Sequence, residues 1–285
     1  MRLVVGLLLT LVLCDAAAAA PKLLFEVKGL EQPESVVQDP ATGALYVSNI
    51  VGAVMQKDGN GYIAKLKPDG AISTKTWVKG LNAPTGMALH DRTLYVADVD
   101  ELIEINVASG EIVERYPAKG AIFLNDVAVG EDGTVYVSDT PMNTIWRLKD
   151  GTFEPWFSND VLNGPNGLLV QDGKLIVASF GKLPGEGQKQ ELGGLLAVDI
   201  EKQAVSTVGN NDKLGNLDGL QALAPGSYLV TDWAAGGLYR VDPKGKFERI
   251  LKLGKGSADF VYFPDKKLVL IPIMLSNSLV AYTLD

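Results

Sequence analysis

The sequence predicts an all-β fold, a six-bladed β-propeller closed by an N-terminal strand, and three observations predict it. A short apolar strand that opens on a polar residue recurs six times, with openers Glu34, Thr85, Asn125, Asn166, Asp218 and Asp259. The steps between openers are 51, 40, 41, 52 and 41 residues, and about forty residues is the length of one four-stranded blade. The last unit has room for three strands only, while a strand without a unit, Lys22 to Lys28, precedes the first opener.

The units are alike in order along the chain. Glu34 begins ESVV before ALYVSN, Thr85 begins TGMAL before TLYVAD, and Asn125 begins NDVAV before TVYVSD. Asn166 begins NGLLV before KLIVAS, Asp218 begins DGLQAL before SYLVTD, and Asp259 begins DFVYF before KLVLIP. In the third unit the apolar alternation and turn residues predict strands from Asn125 to Val129, Thr134 to Ser138, Thr144 to Lys149 and Thr152 to Phe157. Asp69-Gly70, Asp132-Gly133, Asp150-Gly151 and Asp172-Gly173 supply the positive φ that tight hairpins require. No segment holds a helical period. In the sixth unit the strands are Asp259 to Phe263, Lys267 to Ile271 and Leu279 to Thr283, and the spare N-terminal strand would complete that blade and remove two free edges.

In a blade the first strand starts near the axis, and the loop between the second and third strands returns to the same face. The two insertions fall in such loops, Ile50 to Gly61 and Phe180 to Gly193. Long loops above converging polar groups are what a ligand site requires.

Arg2, the apolar run Leu3 to Cys14 and the alanines to Ala20 have the zones of a secretory signal peptide. The run is too short to span a bilayer, and Leu13 stands where a lipoprotein signal wants a small residue. The expected organisation is a signal peptide over 1–20 and one propeller domain over 21–285, periplasmic or secreted, monomeric and free of the membrane once the signal is removed. Cys14 is the only cysteine, so the mature chain has no disulfide, and its roughly 265 residues bury a core without one. With 26 basic against 34 acidic residues the net charge is −8, which argues against nucleic acid. A small-molecule substrate or ligand is the expected partner.

Glu34, Asn125, Asn166 and Asp218 bring two carboxylates and two amide carbonyls to equivalent places on the ring. That is a hard, all-oxygen set suited to calcium, which takes about six to eight oxygens; zinc would want His or Cys, and the mature chain has one His and no Cys. The alternative for any one opener is a turn cap or a water contact in a wet tunnel.

The sequence resembles the calcium-dependent six-bladed propellers of the regucalcin (senescence marker protein) and gluconolactonase type, and more distantly the paraoxonases and diisopropyl fluorophosphatase. PESVVQDPATGALYVSN from Pro33, FLNDVAVGEDGTVYVSD from Phe123, GPNGLLV from Gly164 and LDGLQALAPGSYLVTDWAAGGLYRVD from Leu217 carry the resemblance over the mature chain. It implies that Glu34, Asn125, Asn166 and Asp218 hold Ca2+, and that Asp218 is base or nucleophile in the hydrolysis of a lactone or related ester. The alternative is a non-catalytic exported propeller that binds a small ligand, glycan or protein around structural calcium. A strictosidine-synthase-like condensing enzyme lacks the calcium ligands and is disfavoured.

The chain departs from that family in places. A paraoxonase-like pair of histidines is missing, since His90 is the only histidine and follows a first strand onto the far face. No counterpart of the family's sugar-binding arginine and glutamate is found. Thr85, Phe180, Trp233, Asp259 and Met274 are the candidate substrate contacts: two further openers and three side chains from loops of the site face. Asn49, Asp98, Asp139 and Asp232 recur where the second strand ends and read as turn caps, with Asp232 beside Trp233 the candidate exception. Trp77, Trp146 and Trp156 lie within strands and read as core.

Overall fold

The computed structural model describes residues 20–184, 187–209 and 213–284. The signal peptide expected over 1–20 lies, apart from Ala20, outside them. Strand β1 (Lys22–Val27) is followed by β2 (Pro33–Gln38), β3 (Leu45–Asn49), β4 (Gly61–Leu66) and β5 (Ile72–Leu81), which form the first blade. The second is β6 (Pro84–His90), β7 (Thr93–Asp98), β8 (Glu101–Asn106) and β9 (Ile112–Pro117). The third is β10 (Leu124–Val129), β11 (Val135–Asp139), β12 (Thr144–Lys149) and β13 (Thr152–Ser158). The fourth is β14 (Pro165–Gln171), β15 (Lys174–Ser179), β16 (Leu195–Asp199) and β17 (Val205–Thr207), and the fifth is β18 (Leu217–Ala224), β19 (Ser227–Asp232), β20 (Gly237–Val241) and β21 (Phe247–Lys252). The sixth joins β22 (Val261–Phe263), β23 (Leu268–Ile273) and β24 (Ser278–Thr283) to β1.

The closure is antiparallel, with Lys22 opposite Thr283 and Val27 opposite Leu279, so the two ends of the chain complete one sheet. A six-bladed propeller closed by its N-terminal strand is therefore the fold. Among the described residues no helix is long and apolar enough to cross a membrane.

Burial falls from the axis outwards, and the residue types follow it. In the third blade the first two strands are buried almost throughout, while β13 alternates exposed and half-buried residues. Apolar clusters lie between neighbouring blades: Tyr46 and Ile63 of the first meet Leu94 and Val96 of the second, and Leu229 and Leu238 of the fifth meet Phe260 and Val269 of the sixth. Trp77, Trp146 and Trp156 belong to such inter-blade clusters. A smaller cluster on the face where the first strands start unites Ile50, Ala83, Val99 and Met274, with Val54 and Trp233 packed on it.

Two of the four Asp-Gly pairs form two-residue hairpins; at Asp69-Gly70 and Asp132-Gly133 the turn is longer and only the glycine has a positive φ, 87° and 78°. Asp150 and Asp172 have φ of 50° and their glycines 77° and 70°, the double left-handed geometry of a two-residue hairpin that an Asp-Gly pair tolerates. The third-blade strands fall within a residue or two of expectation. The sixth blade differs, because its first strand begins at Val261 rather than Asp259.

Candidate active site

Five openers occupy the same place in their strands: Glu34, Thr85, Asn125, Asn166 and Asp218 are each the second residue of β2, β6, β10, β14 and β18. In all five blades the ladder to the next strand slips at that point, between Pro33 and Val36, Pro84 and Met87, Leu124 and Val127, Pro165 and Leu168, and Leu217 and Leu220. A bulge of this kind frees a residue from the pleat and re-aims its side chain. Repeated five times, it aims the openers into one axial cavity of about 260 Å³ whose lining includes all five.

The bulge has its own support. The N–H after the opener has lost its ladder partner, and in three blades a hydroxyl on the second strand accepts it: Ser35 N to Ser48 Oγ at 2.9 Å, Asp126 N to Ser138 Oγ at 2.9 Å, and Gly219 N to Thr231 Oγ1 at 2.8 Å. These are the blades of Glu34, Asn125 and Asp218. Sequence reasoning missed this layer, although the recurrence of Ser48-Asn49, Ser138-Asp139 and Thr231-Asp232 was its signal. The residues that end the second strands are caps. Asn49 Oδ1 accepts from Glu31 N, Asp98 from Asn82 N and Ala83 N, and Asp139 from Ile122 N and Phe123 N, each pinning the loop that leads into an opener. Asp232 is a cap as well, for Ala234 N and Ala235 N of its own turn, and it does not line the cavity.

The floor is short of partners. Glu34 Oε2, Asn125 Oδ1 and Asp218 Oδ1 are buried without a hydrogen bond, an arrangement that costs free energy unless something fills it. Asn166 hydrogen-bonds the Asp218 carboxylate, and Thr85 Oγ1 donates to the Leu124 carbonyl at 3.1 Å. Burial, and then the charges of Asp218, Asp259 and Asp126, push the Glu34 carboxyl well above its usual range. Burial, and then Asp259, do the same to Asp218. Among the described residues no basic side chain lines this cavity, and a cation beside two carboxylates held this way would favour ionisation of both. Among the described residues no three His, Cys, Asp or Glu side chains cluster as metal ligands, so a metal here would draw on the amides too. Orphaned hard oxygens from two carboxylates and an amide fit calcium.

Asp259 is the opener that the structure sends elsewhere. The ladder of its blade pairs Ser257 with Ile273 as Leu124 pairs with Asp139, so Ala258 stands in the opener's place and Asp259 one residue further on, in the place of Asp126, with Pro272 where Ser138 supplies its hydroxyl. Asp259 N donates to the Glu34 carbonyl at 3.0 Å, and its carboxylate accepts from Ser35 Oγ at 2.6 Å and from the Phe260 N–H. It lines a separate cavity of about 210 Å³ with Asp126, Gln38 and Gln221, further along the first strands towards the far face. The substrate contact expected of Asp259 is thus not on the cavity that holds the other five. Burial raises its pKa to about 7.

Apolar side chains wall the upper cavity. Phe180, Trp233 and Met274 are there as their loops suggested, with the rings of Phe180 and Trp233 edge to face at 6.3 Å. Ile50, Val54 and Met55 come from the first insertion and Leu183 from the second, and Phe123, Thr140 and Pro141 complete the wall. The sequence placed these loops on the right face without showing which of their residues turn inwards. His90 ends β6 at the two-residue hairpin to Thr93 and lies near Gly133 in a turn of the third blade, at the opposite end of the strand from Thr85.

No family model and no curated protein matches the sequence. Solved structures share the fold. A gluconolactonase from Xanthomonas campestris is 16% identical, with 95% of this chain and 96% of that one covered and a TM-score of 0.65. A structural-genomics target classed with the gluconolactonases is 18% identical, covering 95% and 93%, with a TM-score of 0.67. A catalytically inactive histidine-to-alanine variant of virginiamycin B lyase from Staphylococcus aureus, solved with quinupristin, is 14% identical, covering 93% and 100%, with a TM-score of 0.61. The likeness is one of fold: propellers of gluconolactonases and of lyases both superpose on this chain.

Proposed function

We propose that the upper cavity is the active site of an exported, monomeric, calcium-dependent hydrolase of lactones or related esters. The observation that carries this reading is the trio of buried, unpartnered oxygens on Glu34, Asn125 and Asp218 at the floor of an otherwise apolar cavity. Glu34, Asn125, Asn166 and Asp218 are the residues that would hold calcium. When bound, such a cation polarises an acyl carbonyl and favours the ionised form of the carboxylates around it.

The chain supplies the rest. Ionised Asp218 takes a proton from water as the water oxygen bonds to the acyl carbon, the carbon–oxygen bond of the ring or ester breaks, and the departing oxygen receives that proton. A lactone thus becomes a hydroxy acid with nothing left over. Ser48, Ser138 and Thr231 hold the backbone behind three of the four oxygen donors, so the floor is organised before a substrate arrives. The apolar walls keep bulk water from the reacting carbon. Likeness of fold to gluconolactonases supports hydrolysis by analogy. The far-face position of the single histidine favours a carboxylate over a histidine as the proton-transfer group.

The test is a lactone and ester screen of the mature protein with calcium and with chelator, beside Asp218→Asn. Turnover that needs calcium and falls by about 10²–10⁴-fold in the variant is expected. Undiminished turnover in folded Asp218→Asn would remove Asp218 from the mechanism, and absence of turnover in every metal state would leave a binding propeller.

A further inference from the structure

We infer that the substrate carries an uncharged hydrocarbon chain next to its carbonyl, and that polyhydroxylated sugar lactones are poor ligands. This deepens the reading of the upper cavity as the ligand site and rests on it.

The wall chemistry carries the argument. Above the floor the cavity is faced by Ile50, Val54, Phe123, Phe180, Trp233 and Met274, and among the described residues no lysine, arginine or histidine lines it. The polar side chain among the walls, Thr140, already donates its hydroxyl to the Pro165 carbonyl at 2.7 Å. The hydroxyls of a sugar lactone would exchange water for hydrocarbon here with no row of partners to receive them, which strongly disfavours binding. A substrate carboxylate or phosphate would find no basic side chain on these walls.

A second observation extends the apolar surface beyond the cavity. Among the described residues ten large hydrophobic side chains are exposed, and seven of them, Met55, Ile122, Met142, Val161, Leu183, Leu192 and Leu275, lie in loops on the site face. Met55 and Leu183 are wall residues that stay 51% and 43% exposed, so they span wall and rim. Ile122, Met142 and Leu275 each adjoin a wall residue in sequence, namely Phe123, Pro141 and Met274. Apolar groups concentrated around one mouth mark the surface that meets an apolar ligand. The carbonyl sits at the floor oxygens, the first methylenes lie against Phe180 and Trp233, and the end of the chain leaves past Met55 and Leu183.

The experiment compares γ-lactones of increasing alkyl length, from γ-valerolactone to γ-decalactone, with D-glucono-δ-lactone. Two readings are made on the calcium-loaded mature protein: kcat/KM, and direct binding of the same compounds to Asp218→Asn followed by tryptophan fluorescence. Binding should tighten by about threefold to fourfold per methylene until the chain passes the rim, and kcat/KM should rise in parallel, with glucono-δ-lactone at least a hundredfold below the best alkyl lactone. Leu183→Gln, a change at a wall residue that is also exposed, should flatten the dependence for the longest chains. If alkyl lactones bind with this dependence but none is hydrolysed, the substrate class stands and the hydrolase reading fails. A flat or falling dependence on chain length in binding, or a sugar lactone bound as well as the alkyl series, overturns the proposal.

Discussion

Replacing Asn125 by leucine removes a buried acceptor that has no partner and keeps the branched shape of the side chain, so stability and metal binding should move in opposite directions. A buried polar group left unsatisfied costs about 1–3 kcal/mol, and for a chain of this length about 1 kcal/mol moves Tm by about 2 °C. In chelator, Asn125→Leu should therefore melt no lower than the wild type and up to about 6 °C higher. Calcium reverses the advantage of losing the oxygen. At a free concentration a hundred times Kd, such as about 1 mM for a site of about 10 µM, the wild type gains about 2.7 kcal/mol, or about 5 °C. A site weakened about a hundredfold gains only about 0.4 kcal/mol, under 1 °C. Differential scanning calorimetry of both proteins in chelator and in calcium reads all four values. Equal calcium shifts in the two proteins, or a wild type that calcium leaves unmoved, would refute the assignment of Asn125 Oδ1 to a cation site.

The buried carboxyls make a pH prediction. Glu34, Asp126, Asp218 and Asp259 all have raised pKa values in the folded chain, with burial the main cause. The native state therefore holds more protons than the unfolded state, and stability falls as pH rises from about 4 through the value of about 7 at Asp259. Chelator-treated protein should melt lower at pH 8 than at pH 5, with the difference reduced in calcium; a higher Tm at pH 8 in chelator would show the sign to be wrong. A Cβ on Gly167 would lie 2.1 Å from the Asp218 carbonyl oxygen, so Gly167→Ala should cost about 1–3 kcal/mol in urea unfolding and weaken calcium binding; an unchanged midpoint would contradict the close approach of the fourth and fifth blades. Deleting residues through Lys28 uncovers the edge of β24, and size-exclusion chromatography should show association or loss of the folded monomer. A truncated chain that stays monomeric with the same Tm would mean that β1 is dispensable.

The sequence by itself determined the architecture, because a propeller is one unit repeated and each repeat announces its strands by apolar alternation and its start by a polar residue, with Asp-Gly pairs marking turns in the first, third and fourth. The closing strand was legible for the same reason: an incomplete sixth unit and a spare strand have one economical solution. The five openers that share a cavity were also legible, since a ring converts equal places in the repeat into convergence on the axis. Asp259 was not, because the sequence repeat equates it with Asn125 while the ladder, which sets Ser257 opposite Ile273 as Leu124 is opposite Asp139, places it one residue further on, in the position of Asp126. The hydroxyl support from Ser48, Ser138 and Thr231 was hidden likewise, being a contact between strands rather than a pattern within one. Tertiary structure alone decided which loop residues face inwards, that three floor oxygens are left without partners, and that the walls are hydrocarbon. Those properties depend on side-chain direction and on what the neighbouring blades leave unfilled, and a repeat period carries information about neither.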